Sequence, residues 1–151
     1  MVSLIEQRES VALNEALWQT VEMRYWKGSH TTHRLMYHLV WIPKYRKRVL
    51  KGRLAKRLEE LFYECADMNR WKIEELSVQV DHVHMLLRMR PEVSVSRMVQ
   101  LFKGWSSKVI REEFPELKEF LWGKSFWADG YFAETFGQYN EKYVREYIRN
   151  Q

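Results

Sequence analysis

The order of elements in this chain predicts an α+β fold: a ferredoxin-like split β-α-β sandwich, with helices on one face of an antiparallel sheet and one extra C-terminal helix. Three observations carry that expectation. Two segments place apolar residues at helical spacing. Four short stretches are rich in aromatic and branched residues. A last amphipathic segment follows them.

Residues 1–22 are mixed in character and are set apart as an N-terminal extension, leaving 23–151 as one domain. The stretch "ESVALNEALWQTVEM" is compatible with a helix. Gly28 and Ser29 punctuate the chain. "HRLMYHLVWIPK" is the first expected strand, stopped by Pro43. From there Leu54, Leu58, Leu61, Phe62, Cys65 and Met68 fall on one helical face. Cys65 on that face is expected to be a buried structural thiol. "WKIEELSVQV" and "HVHMLLRM" are the second and third strands, the latter ended by Pro91. Met98, Phe102, Trp105, Val109 and Ile110 mark a second helix, with Pro115 as its stop. "FWADGYFAETF" is the fourth strand, with an internal turn at Asp129-Gly130. "NEKYVREYIRNQ" closes the chain as a helix, with Asn140 as its cap and Glu141 suited to its first turn.

The chain has 151 residues, 46% hydrophobic and 15% aromatic, enough for a packed core. Its net charge is +5, weak evidence for a polyanionic partner. One cysteine excludes an intrachain disulfide and favours the cytosol. No apolar run approaches the length of a membrane span, and "MVSLIEQRES" does not read as a signal peptide.

Two histidines, His82 and His84, flank Val83 in an apolar run. In a strand, residues i and i+2 share a face, about 6 to 7 Å apart. The two imidazoles therefore project together, and Val83 packs on the other side. They are suited to two positions around one metal ion, but two ligands leave a metal under-coordinated. The alternative is two ordinary histidines on a wet sheet face. Asp81, one residue earlier, is expected to point away from His82. On the last helix, Tyr147 and Gln151 are four residues apart and share a face. A phenol and an amide oxygen so placed suit metal-assisted attack on a phosphate. Plain amphipathicity is the alternative for this helix, which also carries Tyr139 and Tyr143 near or within it.

Six motifs in sequence are together more specific than any one alone: "RYWKGSH", "YHLVWIPKYR", "DHVHMLL", "LFKGWSSKVIREEFPELK", "LWGKSFWADGYFAETFG" and "YVREYIRNQ". In them the chain resembles the single-tyrosine HUH transposases of the smallest bacterial insertion sequences (the insertion-sequence 200/605 group), over about Met23 to Gln151. The resemblance implies His82-Val83-His84 on a central strand, Tyr147 as nucleophile, and Gln151 as a third metal ligand. It implies a homodimer in which the last helix serves the partner's active site, with Gly137 as the hinge. It also implies a cytoplasmic protein of a bacterial or archaeal cell that acts at the nucleoid.

The expected chemistry is cleavage and rejoining of single-stranded DNA at hairpin-bearing ends. Free tyrosine is a weak nucleophile at neutral pH. A divalent cation, Mg²⁺ or Mn²⁺, would polarise and position the phosphate. Attack would leave a 5′-phosphotyrosine and a free 3′-hydroxyl. The segment "KYRKRVLKGRLAKR" holds eight Lys or Arg in fourteen residues and no acid. It is either a solvated loop or a set of phosphate contacts from Lys44, Arg46, Lys47 and Arg48. Tyr45 and Trp41 are candidates to stack a base if exposed. Lys103, Ser106, Ser107 and Lys108 add possible phosphate contacts from the second helix. Two other classes stay open at this level. One is a catalytically silent module that binds single-stranded DNA or RNA hairpins. The other is a metal-dependent hydrolase, which would need carboxylates near the histidines.

Overall fold

The computed structural model describes residues 26–27, 32–33, 36–89, 92–121, 125–135 and 141–151. The N-terminal extension, the helix expected around "ESVALNEALWQTVEM", and Gly137, Tyr139 and Asn140 lie outside the described residues. Two short strands, β1 (Trp26–Lys27) and β2 (Thr32–His33), pair antiparallel. Then follow β3 (Met36–Trp41), a 3₁₀ turn at Lys44–Arg46, α1 (Gly52–Met68), β4 (Lys72–Gln79) and β5 (His82–Arg88). The rest of the chain supplies α2 (Val95–Glu113), a 3₁₀ turn at Pro115–Leu117, α3 (Lys118–Leu121), β6 (Phe132–Thr135) and α4 (Glu141–Arg149). The main sheet has the order β4-β5-β3-β6, antiparallel throughout. This is the expected split β-α-β arrangement, with the histidine strand in the interior.

The helices form where apolar spacing allows one dry face. Leu54, Leu58, Leu61, Phe62 and Cys65 are all buried along α1. Burial pushes the Cys65 thiol up to about 11, consistent with a structural thiol. Met68 departs from expectation, at 64% exposed. The helix terminates there: Arg70 takes φ 59°, Trp71 N–H donates to Ala66 O at 2.9 Å, and the Asn69 amide donates to Cys65 O at 2.8 Å. That left-handed ending turns the chain away before Met68 reaches the core. On α2, Ser94 caps the start by accepting from Arg97 N–H at 3.2 Å. Met98, Val99, Phe102, Val109 and Ile110 are buried, and Trp105 packs partly buried against them.

Both helices cover one face of the sheet. Leu39, Trp41, Val83, Met85 and Leu87 meet Phe62 and Phe102 there. Trp41 stands edge-on to Phe62 (5.5 Å between ring centres) and stacks on Phe102 at 6.0 Å. The fourth strand is shorter than expected. The Asp129-Gly130 turn precedes β6 rather than interrupting it, with Gly130 at φ 81°. Upstream, Phe126 and Trp127 dive into the core, and Trp127 makes only an isolated bridge to Pro43. Burial of two large rings outweighs continuation of the ladder. The opposite face of the sheet is covered by α4, where Met36, Leu86, Val144 and Ile148 make a small second cluster.

Candidate active site

Strand alternation sends Val83 into the helix-covered core and His82 and His84 to the α4 face. His84 is 1% exposed, so the pair does not sit on a wet sheet face. The two rings stand edge-on, 4.7 Å between centres. Tyr147 comes down from α4 and stands edge-on to His84 at 5.7 Å. The expected histidines and tyrosine thus converge within one chain. Gln151 lies exposed past the end of α4, its backbone N–H donating to Ile148 O at 3.3 Å. Its side chain is open to solvent beside the site's own helix.

Two neighbours of the pair were not assigned from the sequence. Strand alternation wrongly turned Asp81 away from His82. Asp81 is in the turn before β5, where alternation does not apply, and its Oδ1 accepts from His82 Nδ1 at 2.7 Å. On its other side, the Arg46 guanidinium donates to Asp81 Oδ2 at 3.0 Å. Burial pushes the Asp81 carboxyl up, but the His82 hydrogen bond and the Arg46 charge outweigh it and leave it below the usual carboxylate value. The second neighbour is His38 on β3, fully buried, whose Nε2 lies 2.9 Å from His84 Nδ1. It sits opposite Leu86, so it meets His84 on the diagonal of the β3–β5 pair. His38 also stands edge-on to Tyr147 at 6.3 Å and faces Glu134 of β6 at 4.0 Å. Its signal in the sequence was a lone histidine in the apolar run "MYHLVW".

The donor chemistry fits a small labile cation. Donation from His82 Nδ1 to Asp81 leaves Nε2 as that ring's lone-pair atom. His84 Nε2 is buried with no hydrogen-bond partner among the described residues. Burial, then the charges of His38 and His82, hold His84 down to about 2, so its ring is neutral, as a ligand must be. Among the described residues no group of three His, Cys, Asp or Glu side chains forms a metal site. The Gln151 amide oxygen, exposed past the end of α4, is of a type that can serve as a further ligand.

A charged network holds α4 in place. Glu74, at a bulge in β4, pairs with Arg88 at 2.9 Å and Arg145 at 3.0 Å, and Arg149 pairs with Glu75. Burial raises the Glu74 carboxyl, but the Arg145 hydrogen bond and the charges of Arg88, Arg145 and Lys72 bring it below its ordinary value.

The expected DNA contacts divide. Tyr45 is 59% exposed, and Lys47, Arg48 and Lys108 are exposed, while Lys44 is half-buried. Tyr45 and Arg46 both take positive φ, 59° and 51°, which holds the tyrosine outward. Trp41 is fully buried and cannot stack a base. Ser106 is also fully buried, donating to Phe102 O at 2.6 Å and accepting from Trp127 Nε1–H at 2.8 Å. It is a core residue rather than a phosphate donor, because Trp127 needs an acceptor where it enters the core. Ser107 accepts from Phe126 N–H at 3.4 Å, and Lys103 donates to Ala128 O at 2.8 Å and to Gly130 O.

Known proteins resemble this chain in sequence and fold. The chain is 34% identical to the ISDra2 transposase TnpA of Deinococcus radiodurans, covering 83% of this chain and 89% of that one. It is 32% identical to the transposase for insertion sequence element IS200 of Salmonella typhimurium, over 82% and 80% of the two chains. A crystal structure from Deinococcus radiodurans R1 superposes with a TM-score of 0.69 at 32% identity, covering 85% of this chain and 98% of that one. A REP-associated tyrosine transposase bound to a REP hairpin has the same fold, with a TM-score of 0.54 at 13% identity, over 86% and 68% of the two chains. Residues 31–151 match the family described as "Transposase IS200 like", and with these relatives they show that the chain belongs to the IS200-like transposases.

Proposed function

We propose that this transposase cleaves and rejoins single-stranded DNA at insertion-sequence ends through a covalent 5′-phosphotyrosine on Tyr147. The observation that carries the reading is the seating of Tyr147 against His84, on the same sheet face as His82. His82, His84 and Gln151 are the residues that would hold a divalent cation, Mg²⁺ or Mn²⁺. When bound it would polarise the scissile phosphate and favour in-line attack.

The phenol oxygen of Tyr147 forms a bond to phosphorus and loses its proton. The bond from phosphorus to the 3′ oxygen breaks, and that oxygen leaves as a hydroxyl after taking up a proton. A second 3′-hydroxyl reverses the same exchange, so strands are joined without ATP. The DNA is single-stranded at the cut, because the phosphate must reach the sheet face beneath α4. A hairpin-bound transposase has this fold, and the proposal extends hairpin recognition to this chain. Tyr45, Lys47 and Arg48 beside the Arg46–Asp81–His82 chain, with Lys44 and Lys108, are the proposed DNA contacts. The proposal includes a homodimer in which α4 serves the partner's histidines, acting in the cytoplasm at the nucleoid.

The test is a denaturing gel after incubation with hairpin-bearing single-stranded DNA and Mg²⁺. Wild-type protein gives a covalent adduct, Tyr147→Phe gives none, and Tyr143→Phe keeps it. An undiminished adduct with Tyr147→Phe rejects Tyr147 as the nucleophile. Subunit exchange is tested by mixing Tyr147→Phe with His82→Ala protein. Exchanged helices restore one good site in two, about half the wild-type cleavage per heterodimer. Helices that stay on their own sheet restore none.

A further inference from the structure

We propose that His38 is a positioning residue that selects the metal-binding tautomer of His84, by accepting a hydrogen bond from His84 Nδ1–H. This deepens the metal reading above and rests on it.

The 2.9 Å contact between His38 Nε2 and His84 Nδ1 needs one proton, and it can sit on either ring. If His38 donates, His84 must carry its proton on Nε2 to stay neutral, and then Nε2 has no lone pair to offer. If His84 donates, Nε2 is left as the lone-pair atom, buried and without a partner among the described residues. Glu134 decides between the two. Its Oε2 lies 4.0 Å from His38 Nδ1, so its negative charge favours the proton on that side. His38 Nε2 is then the acceptor. The rings are nearly coplanar, 13° apart, as an in-plane N–H···N bond requires. His82 is oriented in the matching sense by Asp81 at 2.7 Å. Each imidazole of the pair thus has its own partner on Nδ1, a carboxylate for one and a histidine backed by a carboxylate for the other.

Two measurements test this, and neither uses cleavage. Long-range ¹H–¹⁵N NMR of the metal-free protein reads the tautomer of each ring. The proton should be on Nδ1 of His84, and a proton on its Nε2 would overturn the assignment. Mn²⁺ titration followed by electron paramagnetic resonance reads affinity. His38→Phe keeps a ring of similar size but removes the acceptor, and should weaken Mn²⁺ about 10- to 100-fold. His38→Gln places an amide oxygen near the lost nitrogen and should restore most of the affinity. Thermal melts of both variants separate this from loss of fold. Mn²⁺ binding that needs His84 but is equal in wild type and folded His38→Phe rejects the role of His38 alone. Binding indifferent to His84→Ala rejects the metal reading, and this inference with it.

Discussion

The two faces of the sheet are built on opposite principles. Beneath α1 and α2, Trp41, Phe62 and Phe102 interlock in a dry aromatic core. Beneath α4, the apolar part shrinks to Met36, Leu86, Val144 and Ile148 with Tyr147 against them. That face also buries the polar side chains of His38, His84, Arg88 and Glu74. The first face holds the fold together without regard to direction, since apolar burial scales with area. The second is held by directed contacts, each of which also sets the position or proton of a group in the site. A helix docked by three charged pairs, Arg145 with Glu74 and Glu75 and Arg149 with Glu75, and a few apolar residues can be released at lower cost than one sealed into the core.

If that contrast is right, the largest loss of stability comes from the dry face. Phe62→Ala should cost about 3–5 kcal/mol of global stability in urea denaturation. A cost below about 1 kcal/mol would mean that this core is loosely packed. Glu74→Ala comes next. It takes the shared carboxylate from buried Arg88 and half-buried Arg145, on the order of 3 kcal/mol. Amide exchange should show the loss as reduced protection of α4, with α1 and α2 little changed. Uniform loss of protection would show that the two faces are one cooperative unit.

Ser106→Ala should cost about 1–3 kcal/mol by orphaning Trp127 Nε1–H. The salt dependence of DNA binding should not change. Replacing Lys47 and Arg48 with Ala should do the reverse, flattening the slope of log affinity against log salt by a little under one unit per lost phosphate contact. Met68→Lys, on the exposed end of α1, should stay within about 0.5 kcal/mol.

The α4 face should also be the acid-sensitive one. His84 is held down to about 2 in the folded chain, below its unfolded value of 6.5. Its contribution is therefore complete above pH 6.5 and is lost as pH falls below that. Glu74 and Asp81, both lowered in the fold, contribute above the ordinary carboxylate range and lose it as pH falls through their depressed values. Urea midpoints should fall from pH 7 to pH 5, and the decline should be shallower in His84→Phe. An identical decline in that variant would place the sensitivity elsewhere.

Much of this was legible in residue order. Period-2 and helical patterns located the four strands of the main sheet and three of its helices, because burying one face is a repeating demand that leaves a repeating trace. The pairing of His82 with His84 followed from the same parity, and the motifs around Tyr147 pointed to the family. The misreadings share a cause. Asp81 was judged by strand parity although it sits in a turn. Ser106 and Trp41 were judged by residue type, although a serine can serve a buried indole and an indole can fill a core. Met68 follows the helical stripe into the last residue of α1, where the left-handed ending turns the chain away.

The sequence by itself determined the fold class, the face on which the histidines stand, and the family to which the chain belongs. Periodicity and ordered motifs are local, and they survive without coordinates. Only the tertiary structure decided that His84 meets His38 at 2.9 Å, that Asp81 accepts from His82, and that Glu74 lies between Arg88 and Arg145. The contacts of His38 with His84 and of Glu74 with Arg145 join elements tens of residues apart. They depend on strand register, a bulge and a turn, and a shift of one residue in register would send each side chain to the other face.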